Sequence, residues 1–62
     1  MWRVTIYFQY HFNSVECRNT TYAITKHGAE AVLHSLRKDY KDALAKGIIY
    51  SFHDEIVNVV AK

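Results

Sequence analysis

Sixty-two residues, half of them apolar or aromatic, with two glycines and no proline, describe one folded domain and exclude a disordered chain. A single cysteine, Cys17, excludes an internal disulfide, and no apolar run is long enough to span a bilayer. A formal net charge of +2 permits a nucleic-acid partner without arguing for one, because dedicated binders concentrate far more lysine and arginine.

The first eleven residues after Met1 carry the clearest signal. Trp2, Val4, Ile6, Phe8, Tyr10 and Phe12 alternate with Arg3, Thr5, Tyr7, Gln9 and His11. Successive side chains of a strand point to opposite faces, so this period of two predicts a long strand with one apolar face in a core. The odd row is then the wetter face, where Thr5→Ala should be nearly silent. Asn13-Ser14 is turn chemistry, since both side chains can bond nearby backbone. A second strand follows over 15–24, antiparallel to the first, with Glu16, Arg18, Thr20, Tyr22 and Ile24 on one side. A bulge near Arg18-Asn19 is left open.

Thr25 is placed to cap a helix over 26–46. Ala29, Val32, Leu33, Leu36, Tyr40, Ala43 and Leu44 recur at three and four, which gives one apolar stripe. Gly47 suits the stop, and Asp42 with Lys46 forms a well-oriented pair. Ile48 to Phe52 then predicts a strand with Ile48, Tyr50 and Phe52 on one face. His53-Asp54-Glu55 is expected to be a tight charged turn, and Ile56 to Val60 a short fourth strand or an extended tail. The fold class is α+β: a small antiparallel sheet of three or four strands, in the order ββαβ(β), with one helix packed on one face.

Three stretches resemble small proteins encoded by phages and prophages of Gram-positive bacteria. These are the opening Met1 to Phe8, the helix start Thr25-Lys26, and Ile49 to Asn58. Similar proteins often continue into another strand beyond the position of Asn58, so the status of 56–62 stays open. The resemblance implies an accessory role and supplies no catalytic motif.

Chemistry-bearing clusters have bland readings that weigh more. His27, Glu30 and His34 share a helix face and could hold zinc, but they point away from the apolar stripe, among Arg37, Lys38 and Lys41. A solvated face is expected there, with no metal and no cofactor. Cys17 lies on a predicted strand with no family signature around it, and is read as a small buried residue. His53-Asp54-Glu55 is read as a hairpin tip. No catalytic residue is assigned.

Two surfaces remain as binding candidates. Arg3, Thr5, Tyr7, Gln9 and His11 form an amphipathic row of the kind that packs against protein, since Tyr and Arg are favoured at interface cores. Arg37, Lys38 and Lys41 could hold phosphate. The favoured expectation is a non-enzymatic cytoplasmic protein with no membrane segment, which binds and modulates another protein through its sheet face or an unpaired edge. Self-association as a homodimer is expected too, because a domain this small buries only about 60% of its unfolded surface and has a thin margin. The second reading is a small nucleic-acid-binding protein that uses the sheet row and the helix patch together. Self-assembly alone is a third.

Overall fold

Strand β1 (Trp2–Gln9) forms where the alternation is cleanest, and it becomes the centre of the sheet. In the computed structural model, which describes residues 1–60, strand β2 (Cys17–Ala23) pairs with one side of β1 and strand β3 (Ser51–Asn58) with the other. Both pairings are antiparallel, giving the order β2-β1-β3. Helix α1 (Lys26–Ala45) joins the two outer strands and packs over one face of all three. The α+β class and the ββαβ order are those that the sequence predicts.

The covered face holds the even row of β1. Val4 and Ile6 are fully buried against Ala29 and Leu33 of α1, each contributing about 1.5–3 kcal/mol by burial. Trp2, Phe8, Ala23, Leu36, Tyr40, Phe52 and Ile56 ring this centre. Tyr40 lies between Phe8 and Phe52, with ring centroids 5.3 and 5.8 Å away. Few side chains are fully shielded, so the margin of stability is thin.

The helix ends follow from local chemistry. The Thr25 hydroxyl accepts from the Gly28 N–H at 3.0 Å, which satisfies one orphan donor of the first turn. Gly47 has φ +74° just past the last turn, a conformation that costs other residues more. Lys46 pairs with Asp42 at 2.9 Å.

Several boundaries differ from expectation. β1 stops at Gln9, because a turn over 10–14 begins there. The Ser14 hydroxyl accepts from the His11 N–H at 3.0 Å and donates to the His11 carbonyl at 2.9 Å. Tyr10, His11 and Phe12 are therefore in the turn and exposed, with Phe12 70% accessible. The register of β1 on β2 runs unbroken from Trp2↔Ala23 to Phe8↔Cys17, so there is no bulge near Arg18-Asn19.

The largest correction concerns the last third. His53-Asp54-Glu55 is not a turn but lies within β3, and 56–58 continue the same strand. The separate fourth strand over 56–60 is absent among the described residues; positions 61–62 lie outside them. Pairing with the central strand wins over the polarity of the triplet. Tyr7↔His53, Ile6↔Asp54 and Thr5↔Glu55 are successive partners, and two of the three polar side chains turn to the open face. Ile48, Ile49 and Tyr50 precede the strand, and Ile49 is the buried one rather than Ile48 or Tyr50.

Candidate functional site

The period of two that buries Val4 and Ile6 leaves Arg3, Thr5, Tyr7 and Gln9 on the side away from α1. The registers set their neighbours. Tyr22, Thr20 and Arg18 stand opposite Arg3, Thr5 and Tyr7 on one side, and Val57, Glu55, His53 and Ser51 flank the row on the other. Thr5 sits at the centre of this face and is only 3% exposed, because larger side chains on three strands close around it. It is thus not the solvent-washed position that the sequence predicts.

Arg3, Thr5, Tyr7, Arg18, Thr20 and Tyr22 line a shallow depression of about 340 Å³. The threonine hydroxyl oxygens form its floor, 3.5 Å apart. Arg18, Thr20 and Tyr22 are absent from the sequence-derived site, yet a signal for them exists. Both strands carry Arg-x-Thr-x-Tyr, at 3–7 and at 18–22. With Thr5 opposite Thr20, antiparallel pairing sets each arginine across from the other strand's tyrosine. The depression therefore has an approximate local two-fold axis between the threonines.

Ionic groups around it are weakly engaged. Arg3 is 4.0 Å from Glu55, and His53 is 3.9 Å from Glu16. The His53 ring stacks on Tyr7, with centroids 4.8 Å apart and planes 15° from parallel. Arg18 has no carboxylate partner among the described residues.

Gln9 ends the row and His11 lies beyond it, and neither lines the depression. The Gln9 side chain donates to the Ser14 carbonyl at 3.0 Å and accepts from the Ser51 hydroxyl at 3.3 Å, so it ties the turn to β3. His11 belongs to the turn itself.

The helix patch is also split. Arg37 donates two parallel hydrogen bonds to Asp54, at 2.7 and 2.8 Å, through its Nε and one terminal nitrogen. These bonds and the adjacent charge hold the Asp54 carboxyl below the usual carboxylate range, against partial burial, and raise Arg37 above its ordinary value. Arg37 is committed to the fold and is not a free phosphate ligand. Lys38 and Lys41 are exposed, but on the helix layer, across the sheet from the depression. The two basic groups that one nucleic-acid track would need thus lie on opposite sides of the molecule.

His27, Glu30 and His34 are all exposed. Cys17 is half-buried rather than fully so, its Sγ 3.8 Å from the Val15 carbonyl. No helix among the described residues is long and apolar enough to cross a membrane. No protein-family model matches the chain, and no curated protein or solved structure matches it.

Proposed function

We propose that this chain is a non-enzymatic accessory module of the phage type, acting in the cytoplasm, that docks a protein partner on its open sheet face. The observation that carries the reading is the arginine- and tyrosine-lined depression that α1 leaves uncovered. Such side chains dominate the energetics of protein interfaces, and here they stand on paired strands that lose little freedom on binding. A partner also stabilises a domain with a thin core by mass action, a benefit that self-association would supply as well. The nucleic-acid reading is the weaker one, because Lys38 and Lys41 cannot join Arg3 and Arg18 on one surface and Arg37 is paired with Asp54.

Capture from a nuclease-treated lysate of a Gram-positive bacterium, by wild type and by Tyr7→Glu, tests this, with sedimentation of both proteins alongside. Nuclease-resistant capture that Tyr7→Glu loses, while keeping its circular-dichroism melt, is the expected result. Capture abolished by nuclease would overturn the reading. So would a wild type that stays monomeric at high concentration while Tyr7→Glu captures the same partner undiminished.

A further inference from the structure

We infer that the depression binds an extended acidic segment of the partner, with two carboxylates four residues apart engaging Arg3 and Arg18. The inference rests on the docking reading above and adds the chemistry of what docks.

Geometry sets the spacing. Arg3 stands opposite Tyr22, and Arg18 stands opposite Tyr7, four residues farther along β1. With a rise of about 3.4 Å per residue and strands about 4.8 Å apart, the two arginine Cα atoms are roughly 14 Å apart. Positions i and i+4 of an extended peptide are separated by the same rise and point to the same side. Two carboxylates so placed would each meet a guanidinium, whose planar fork donates two hydrogen bonds to a carboxylate. Between them the floor is low, since Thr5 and Thr20 are small, and Tyr22 and Tyr7 stand beside Arg3 and Arg18 at its two ends.

Charge chooses among occupants. A second copy laid on this depression would bring Arg3 and Arg18 against arginines of like charge. A nucleic acid would find two arginines here and no continuation, the exposed lysines of α1 being behind the sheet. Of the carboxylates nearest this face, Glu55 lies 4.0 Å from Arg3 and Glu16 lies 3.9 Å from the His53 ring. The Arg3 pair is exposed, long and easily exchanged for an incoming carboxylate, and Arg18 waits without a partner among the described residues.

The test is an amide chemical-shift titration of the whole chain with a capped synthetic peptide, TEVTVET. The controls are TQVTVQT, TKVTVKT and a short thymidine oligonucleotide. Shifts centred on Thr5 and Thr20 with the acidic peptide alone are expected. Arg18→Glu should weaken its binding roughly ten-fold, as loss of a charge pair does at interfaces. The Arg3→Glu/Arg18→Glu double variant should instead take TKVTVKT. Equal binding of TEVTVET and TQVTVQT, no shifts with millimolar acidic peptide, or tighter binding of the oligonucleotide would each overturn the inference. If the double variant still captures the lysate partner as wild type does, the acidic inference falls while docking itself stands. Circular-dichroism melts of each variant separate lost binding from lost folding.

Discussion

Truncation of Ile6 is the sharpest probe of how the sheet is oriented. Ile6 is fully shielded, on the central strand, against Ala29 and Leu33. Ile6→Ala deletes three carbons, worth about 2.4 kcal/mol of transfer free energy at about 0.8 kcal/mol each. The cavity raises this, because strands on both sides of β1 prevent the site from collapsing, so the total should reach about 3–4 kcal/mol. A domain of this size has a few kcal/mol in all. Ile6→Ala should therefore be largely unfolded at 25 °C, and Ile6→Val, which loses about 1 kcal/mol, should stay folded with a lower urea midpoint. Thr5 supplies the internal comparison. It is nearly as shielded as Ile6, but by the flexible ends of side chains on the open face, which can close over a smaller residue. Thr5→Ala should cost about 1 kcal/mol, chiefly as lost strand preference. The assay is urea denaturation followed by far-ultraviolet circular dichroism. If Thr5→Ala proved as damaging as Ile6→Ala, or Ile6→Ala kept the wild-type midpoint, the assignment of the helix-covered face would be refuted.

Two other outcomes follow from local geometry. Arg37 holds the Asp54 carboxyl below its ordinary range, so the pair stabilises the fold above the ordinary carboxylate pKa, and that contribution is lost as pH falls through the lowered value. The urea midpoint of wild type should drop on acidification through and below this range, and Asp54→Asn should start lower and drop less; parallel curves would show that the fork contributes nothing. Gly47→Ala should cost about 1 kcal/mol although its Cβ would meet nothing within 4 Å, because the positive φ alone penalises it. An unchanged midpoint for that variant would mean that the helix can end in another way.

The elements that were legible in the sequence are those whose signal is local. The even row of β1 from Trp2 to Phe8, the Thr25 cap, the apolar stripe of α1 from Ala29 to Tyr40 and the Gly47 stop each depend on neighbours within a few positions, and each stands, whereas Leu44 at the end of the stripe is exposed. The misread elements depend on distant partners. Polarity at His53-Asp54-Glu55 suggests a turn until Ile6 and Arg37 are known to lie beside Asp54. Tyr10 and Phe12 continue the alternation but cannot continue the strand, because β2 has no residue before Cys17 that pairs with them. The candidate site was half-legible for the same reason. Arg3, Thr5 and Tyr7 share a face by period alone, whereas their meeting with Arg18, Thr20 and Tyr22 requires the register. The likeness of 3–7 to 18–22 becomes informative only once Thr5 is known to face Thr20.

The fork between Arg37 and Asp54 also acts as an alignment pin. A strand whose pairing slips by one residue exchanges its two faces completely. For β3 such a slip would send Asp54 to the open side and bring His53 or Glu55 beneath the helix, where Arg37 would have lost the carboxylate it now grips at 2.7 and 2.8 Å. A slip by two would restore the faces but carry Asp54 a further two strand positions along, roughly 7 Å by the rise of a strand, beyond the guanidinium. An ionic group turned inward also discourages an outermost strand from recruiting a neighbouring molecule. One pair of side chains thus favours the observed alignment of β3 and works against pairing at its free edge.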